Sequence, residues 1–578
     1  MKLGMCMTYR APIQEFQFLF DHIVGFDAVT KHDQFSDATP DMVNAILTEA
    51  GRLSQDELAP LQRVGDIHGA QLNDGQVKTL PGFAKAYQTI AKGGWVGIGA
   101  DPTHGGMGLP MTITTAVNDM MSSGCLALQL NPLMTQGQID ALSNHASAEI
   151  QDLYLPNLTS GNWSGTMNLT EPQAGSDVGA LKTTATPRGD GTYSISGQKI
   201  FISWADNDFT ENVCHLVLAR LPDAVPGTKG ISLFMVPKFV PDAAGQPGQF
   251  NNVNILSLEH KMGLHGSPTA VVSFEGARGW LIGQESAGMG AMFTMMNNAR
   301  LGVGVQGIGQ AEAAYQLALS YARDRRQGRS PVNQGTGTIL DHADVRRMLA
   351  TMKADIFAAR AIALACAVAI DLARASGDTD HAARAAVLTP IAKAFGTDTG
   401  CRVANMGIQV HGGIGFIEDS GAAQFLRDVR VTAIYEGTNG IQAMDLVGRK
   451  LMDNGAAVFA ILDDMQQNCE AAKKRFPDLC TSVNEAIHGL RQATQTLLTH
   501  SDLNDRFAGS VPYLQAFARV LGAHFHLKAA LAEPEPGKRL KLARFYVFRM
   551  LPEHIGLLKH ATSGASDLYD FSTEDFDS

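Results

Sequence analysis

The sequence has no disulfide framework. Its seven cysteines, Cys6, Cys125, Cys214, Cys366, Cys401, Cys469 and Cys480, are scattered, odd in number and form no Cys-x-x-Cys pair. That excludes a stapled secreted scaffold and a thiolate zinc site, and no metal is expected. The cysteines read as reduced, mostly buried thiols of a cytoplasmic protein. Positive charge is also short: 46 Lys and Arg stand against 57 Asp and Glu, a net charge of -11. A duplex nucleic-acid binder needs the opposite balance, although a local basic site for an anionic ligand is compatible with it. Met1 to Arg10 contains no apolar h-region, so no secretory signal is expected. No apolar run approaches the ~20 residues that span a bilayer, so no membrane span is expected either.

What is present is length, 578 residues, enough for about four structural units and a large core without staples. Residues 1–40 read as a helical extension, with Phe16, Leu19, Phe20 and Ile23 at helical spacing. Residues 41–160 read as a helical domain that includes the glycine-rich stretch from Gly93 to Gly108. The character changes near Gly161. Thr192 to Ser203, Val213 to Ala219, Ile231 to Val236 and Ala270 to Phe274 are strand-like and separated by Gly, Pro, Asp and Asn. Residues 161–285 are therefore expected to form a small β-barrel or sandwich. Residues 286–452 return to helix. Asp341 to Ser376 contains neither Gly nor Pro, with Asp341 placed to cap its start and Gly377 its end; at ~1.5 Å per residue it would be about 50 Å long. A second helix is expected from Pro390 to Gln409. Residues 453–578 read as an appended helical unit whose acidic tail, Asp567 to Asp577, is expected to fray. The fold class is α+β with segregated helical and β regions. A doubly wound sheet would need strands alternating with helices throughout.

Four segments could carry chemistry. Gly302-Val303-Gly304-Val305-Gln306-Gly307 fits the dinucleotide fingerprint, but it follows a helix-like stretch with no βαβ context. It reads as a glycine-faced helix that lets another backbone approach. Gln409-Val410-His411-Gly412-Gly413-Ile414-Gly415 exposes backbone N–H groups just past a helix, which can cradle a pyrophosphate or simply end the helix. His411 reads as a ligand or, more commonly, as a hydrogen-bonded structural residue. In Ile434-Tyr435-Glu436-Gly437-Thr438 a carboxylate sits between apolar residues and a glycine turn. Desolvation there would raise its pKa towards neutrality and make it a base for a carbon acid; an ordinary loop glutamate is the alternative. Thr170-Glu171-Pro172-Gln173-Ala174-Gly175-Ser176-Asp177, entering the β region, is by itself only a turn.

Together, in this order, these segments resemble the acyl-CoA dehydrogenase family. Its members show Thr-Glu-Pro-x-Ala-Gly-Ser-Asp, Gly-x-Lys-x-x-Ile, Lys-x-Gly-x-x-x-Ser, an Arg after a long helix, Gly-Gly-x-Gly and Tyr-Glu-Gly-Thr. This chain has Thr170 to Asp177, Gly197-Gln198-Lys199-Ile200-Phe201-Ile202, Lys261-Met262-Gly263 with Ser267, Tyr321 to Arg325, Gly412 to Gly415 and Tyr435 to Thr438. The resemblance covers roughly residues 83–450. Tyr9-Arg10-Ala11-Pro12 and the extra C-terminal helices resemble the enlarged bacterial subgroup that includes 3-methylmercaptopropionyl-CoA dehydrogenase of dimethylsulfoniopropionate breakdown.

The resemblance implies a helical domain, a β domain and a helical bundle, here with an appended helical domain, and FAD as cofactor. Leu169, Thr170, Ile202 and Ser203 would contact the isoalloxazine end, with Ser176 touching cofactor or substrate. Arg325, Gln409, Gly412 and Gly413 would reach the diphosphate of a neighbouring subunit, and Thr438 the phosphate or ribose. Glu436 would remove the α-proton of an acyl-CoA thioester while the β-hydrogen leaves for the flavin, giving a trans-2-enoyl-CoA. Some members carry the base immediately before the Arg of an Asn-Asn-Ala-Arg segment; that position is Ala299 here, which leaves Glu436. Arg300 would organise the substrate region or serve packing. The implied partners are an electron-transfer flavoprotein and a second copy of the chain, as a homodimer or a tetramer. The acyl group leans towards a short or medium chain, fatty or methylthio. Phe201 replaces a common Trp, and Arg325-Arg326-Gln327-Gly328-Arg329 departs from Arg-x-x-Phe-Gly, which puts Gln327 and Gly328 in doubt as cofactor contacts. An acyl-CoA oxidase, a nicotinamide dehydrogenase and a non-catalytic acyl-CoA-binding scaffold are the competing classes.

Overall fold

The computed structural model describes residues 9–332, 334–534 and 537–577. Cys6 and most of the segment read as lacking a secretory signal lie outside the described residues. The helices and strands used below, in chain order, are α1 (Ile13–His22), α2 (Pro40–Arg52) and α3 (Met111–His145), then seven strands, then seven more helices. The strands are β1 (Trp163–Asn168), β2 (Thr184–Pro187), β3 (Tyr193–Ser203), β4 (Asn212–Arg220), β5 (Ile231–Pro237), β6 (Val253–Leu258) and β7 (Thr269–Ile282). The later helices are α4 (Gly288–Asp324), α5 (Ala343–Ser376), α6 (Thr379–His411), α7 (Asn439–Gly448), α8 (Ala456–Ala472), α9 (Pro477–Thr499) and α10 (Ser510–Ala532). They fall into two compact units. One holds Arg52–Pro110 and Gly124–Ala299; the other holds the chain up to Gly51, Met111–Ser123 and everything from Arg300.

The β-bearing unit is built on one seven-stranded sheet. Its order is β6-β7-β3-β2-β4-β1, and β5 pairs with both β7 and β4, so the strands between close on themselves. Closure removes the edges that an open sheet would expose. The interior is apolar, with Ile195, Ile202, Val217, Phe234, Val236, Val272 and Phe274. β4 is buried on both faces, because the C-terminal part of α3 covers its outside. There the Gln138 Nε2 donates to the Cys214 carbonyl at 3.1 Å, and the Thr135 hydroxyl accepts from Gly165 N at 3.0 Å. β1, β2 and β6 were not among the expected strands. β7 also runs well beyond the expected Phe274. Its Gly279 looks like a breaker, yet a Cβ there would lie 2.8 Å from Ile195, so the glycine serves close packing.

The helical unit departs from expectation at three places. Asp341 does not cap α5, whose N-cap is His342. The Asp341 carboxylate instead accepts from Gly337 N at 2.7 Å within the preceding loop. Gly377 does end α5, at φ +69°. α6 begins at Thr379, capped by Asp378, with Pro390 buried in mid-helix. Burial of Val387, Leu388 and Ile391 around it offsets a proline penalty of about 3 kcal/mol. Finally, α5 is long and apolar enough to cross a bilayer by composition, contrary to the expectation, but most of that stretch is buried within the protein as a core helix.

The Gly302 fingerprint lies inside α4. A Cβ on Gly304 would stand 2.6 Å from the Ala392 carbonyl oxygen, and one on Gly307 2.4 Å from that of Gly396. The motif is thus where α4 and α6 cross backbone to backbone. The buried Arg360 of α5 is paired twice, with Asp119 of α3 at 2.8 Å and Glu312 of α4 at 3.0 Å. The appended helices dock through α10, where Arg519 meets Asp355 of α5 at 2.6 Å and His526 meets the Ala354 carbonyl at 3.0 Å. The acidic tail forms two short turns, Ser566–Tyr569 and Thr573–Phe576. Five of the six described cysteines are buried and all six are free thiols.

Candidate active site

Ile434 to Thr438 links a 3-10 turn (Arg430–Ala433) to α7. Glu436 has φ +57° and Gly437 φ +78°. Glycine adopts that left-handed region freely, whereas a glutamate there is strained by of order 1–3 kcal/mol. The surroundings hold it. Gln442 Nε2 donates to the Glu436 carbonyl at 3.0 Å. The ammonium of Lys393, buried in α6, donates to the Gly437 carbonyl and to Asn439 Oδ1, both at 2.9 Å. Asn439 in turn donates to Asp398 at 2.7 Å. The Tyr435 hydroxyl donates to Gln306 Oε1 of α4 at 2.5 Å. The Thr438 hydroxyl accepts from Ile441 N at 3.2 Å and caps α7, which leaves its own O–H free to donate.

The carboxyl of Glu436 is desolvated. Its Oε2 is buried with no hydrogen-bond partner among the described residues. Burial pushes its pKa up to about 7, against the opposing fields of Arg300 and Lys393. A buried oxygen left unbonded is costly, and a carboxyl titrating near neutrality is suited to take a proton. Arg300, buried in α4, is pushed down by burial and held up by Asp445 and Glu436. The structure therefore brings Glu436 and Arg300 into one electrostatic cluster and adds Lys393, which sequence reasoning did not single out. Asn439 and Gln442 were also missed. The signal available was the unbroken run from Tyr435 to Gln442, read only as far as its turn.

Apart from Thr438, the residues expected at the cofactor's phosphates lie elsewhere in the same unit. Arg325 follows the last residue of α4 and is exposed, as is Gln409 in the last turn of α6 rather than in a turn of its own. Gly412 (φ +63°) and Gly413 are exposed, with nothing within 4 Å of where a Cβ would sit. The Gly412 N–H is engaged by the Gln409 carbonyl, so the exposed Gly413 backbone and the exposed Arg325 guanidinium are the groups here whose chemistry suits an anionic diphosphate. His411 is structural: its Nδ1 lies 2.7 Å from the Gly407 carbonyl and its ring stacks on Tyr321 at 4.5 Å.

In the β-bearing unit, Leu169 and Thr170 are pinned to β3. The Thr170 carbonyl accepts from Ile200 N and that of Leu169 from Lys199 Nζ, both at 2.9 Å. Lys199 also binds the buried Glu171 at 2.9 Å, and Glu171 accepts from Thr183 and Lys182 as well. Burial opposes ionisation of Glu171, but Lys199 and these hydrogen bonds outweigh it and hold its pKa down to about 2. Two motifs separate in sequence thus share one ion pair, which fixes the Thr170 loop. Phe201 is exposed at φ +61°, between Ile200 and Ile202. Ile202 needs correcting: its side chain lies in the closed sheet's core beside Ala270, because alternation along β3 turns it inward. Ser203 is half-buried and Ser176 exposed. No cluster of His, Cys, Asp and Glu suited to a metal occurs among the described residues.

Residues 43–162, 166–277 and 286–452 match models of the N-terminal, middle and C-terminal domains of acyl-CoA dehydrogenase. Residues 461–572 match a model described as acetyl-CoA dehydrogenase C-terminal like. The chain is 42% identical over 545 residues, 92% of each chain, to 3-methylmercaptopropionyl-CoA dehydrogenase of Ruegeria pomeroyi. Among solved structures, Caenorhabditis elegans ACDH-11 in complex with C11-CoA superposes with a TM-score of 0.80 at 19% identity, covering 98% of this chain and 96% of that one. Acyl-CoA dehydrogenase complexed with FAD from Bacillus anthracis gives 0.75 at 19% identity, covering 96% and 91%. At that identity both show the fold alone.

Proposed function

The chain belongs to the acyl-CoA dehydrogenase family, and from that premise we propose that it oxidises an acyl-CoA thioester to the trans-2-enoyl-CoA with Glu436 as the base. The observation that carries this reading is the Glu436 carboxyl, desolvated, held near neutrality and left with an unpartnered oxygen. The α-proton of a thioester is weakly acidic, so its removal needs a base poised near the working pH and a donor at the carbonyl oxygen. Glu436 supplies the carboxylate, and its backbone N–H is the donor the family resemblance assigns to that oxygen. The cofactor of the family is FAD, which when bound supplies the acceptor for the β-hydrogen. The residues fit it: the side chains of Arg325, Gln409 and Thr438 and the exposed backbone of Gly412 and Gly413 are proposed for phosphate and ribose. Leu169, Thr170 and Ser203 are proposed for the ring, and Ser176 and Arg300 for substrate.

The proposed substrate is 3-methylmercaptopropionyl-CoA or a short or medium fatty acyl-CoA. It is supported by 42% identity, nearly end to end, to the Ruegeria pomeroyi enzyme of that name. An electron-transfer flavoprotein is the proposed acceptor and a homodimer the proposed assembly, with exposed Ile414, Phe416 and Ile417 beside the glycine turn supporting the latter. The buried free thiols support a cytoplasmic setting. The test is anaerobic bleaching of the bound flavin across a panel of acyl-CoAs, in wild type and Glu436→Gln. Bleaching by one narrow class, lost by ~10²–10⁴-fold in the variant with acyl-CoA binding retained, is expected. Bleaching at wild-type rate in Glu436→Gln refutes the assignment of the base. Oxygen consumption without another acceptor would make the enzyme an oxidase.

A further inference from the structure

A lysine is an expensive way to fill space inside a helix bundle. Lys393 is fully buried in α6, where a methionine of similar length would pack without stranding a charge. Its ammonium nevertheless reaches the catalytic turn, binding the Gly437 carbonyl and Asn439 Oδ1 at 2.9 Å each. The Gly437 carbonyl belongs to the left-handed pair Glu436–Gly437, whose conformation a glutamate resists, and Asn439 follows two residues on. The second brace is Gln442, on the Glu436 carbonyl at 3.0 Å. Asn439 is itself fixed by Thr397 at 3.0 Å and Asp398 at 2.7 Å, both on α6. The turn is therefore clamped from α6, with a positive charge at the clamp.

We propose that Lys393 is a positioning residue for the reaction. It locks the Glu436–Gly437 turn through the Gly437 carbonyl and Asn439, and its fixed positive charge keeps the Glu436 carboxyl ready as a base at neutral pH. The inference rests on the reading of Glu436 as the base. The groups bearing on Glu436 are Arg300 from α4 and Lys393 from α6. Asp445 of α7 and the following Arg449 act on Arg300, while Asp398 and Cys401 of α6 act on Lys393. Tyr435 precedes Glu436 in the turn. Burial pushes Lys393 down to about 8, so it is charged at neutral pH and loses that charge as pH rises beyond it.

The experiment is single-turnover anaerobic flavin reduction by an acyl-CoA substrate, followed from pH 5.5 to about 9 in holoenzyme of wild type, Lys393→Met, Lys393→Arg and Glu436→Gln. Flavin content and far-UV spectra check each fold. In Lys393→Met the rate at pH 7 should fall about 10-fold or more. Its pH midpoint should rise by about one to two units, the effect of losing one nearby opposite charge. Lys393→Arg, retaining charge and donors, should keep the midpoint near wild type. A Lys393→Met profile with wild-type rate and midpoint overturns the proposal, as does a slower enzyme with an unmoved midpoint. If Lys393→Met yields no flavoprotein, Asn439→Ala decides. Its rate should fall with the midpoint unchanged, because the charge remains and only the clamp is lost; an unchanged rate or a moved midpoint overturns the proposal. Failure of the underlying reading is distinguishable, since Glu436→Gln would then reduce flavin at near wild-type rate.

Discussion

The catalytic turn makes a thermodynamic demand that can be measured without turnover. Burial moves the Glu436 carboxyl from its usual 4.5 to about 7. Each unit of pH between the two is worth about 1.4 kcal/mol, so ionising this group in the folded state costs about 3 kcal/mol. Because the folded pKa is raised, the folded protein binds the proton more tightly than the unfolded chain. The corresponding stability is fully present below pH ~4.5, declines as pH rises, and is gone above ~7. Glutamine at 436 is uncharged throughout and escapes this cost, although its amide finds the same unbonded position and costs about 1 kcal/mol at every pH. The stability of Glu436→Gln minus wild type should therefore climb with pH, by about 3 kcal/mol between pH 4.5 and 8. In thermal unfolding of the holoenzyme that is a shift on the order of 2–5 °C, with the variant gaining on wild type as pH rises. Subtracting the two curves removes the titrating groups that do not couple to Glu436. A difference that stays flat refutes the burial argument. One of opposite slope would mean that Arg300 and Lys393 stabilise the carboxylate in the fold, and that the base is ionised well below neutrality.

Two further outcomes follow from packing. Gly307→Val would drive a Cβ to 2.4 Å from the Gly396 carbonyl oxygen, so the α4–α6 crossing must open, at about 3 kcal/mol or more; Gly290→Ala on the same helix meets nothing within 4 Å and should be neutral or stabilising in the same melt. Lys199→Met should destabilise by about 3–5 kcal/mol, because Glu171 would be left buried and unpaired, and Glu171→Leu added to it should recover much of the loss. Since the Glu171 pKa is held down to about 2, the stability it contributes is present above pH ~4.5 and lost as pH falls towards 2, which acid unfolding of wild type against the double variant measures.

The sequence by itself determined the helical and β regions, the family and the carboxyl worth watching. Those depend on local information. Period-two alternation marks β3 wherever it folds, and glycines at 437 and 377 are read from the φ values only glycine adopts freely. Tertiary structure decided whatever depends on a neighbour distant in the chain. Pro390 looked like a helix start and is mid-helix, because apolar burial on both sides outweighs one lost hydrogen bond. Asp341 looked like a cap and serves a loop. α5 has the composition of a membrane span and is a core helix, since hydropathy cannot tell lipid from protein. The Gly302 motif was legible as a glycine face, but only the structure shows Ala392 and Gly396 pressed against it. Above all, Glu436 could be picked out by its flanking residues, while its pKa could not. That value is set by how much water the fold excludes and by Arg300 and Lys393, which stand 136 and 43 residues away along the chain and are brought beside it only by packing.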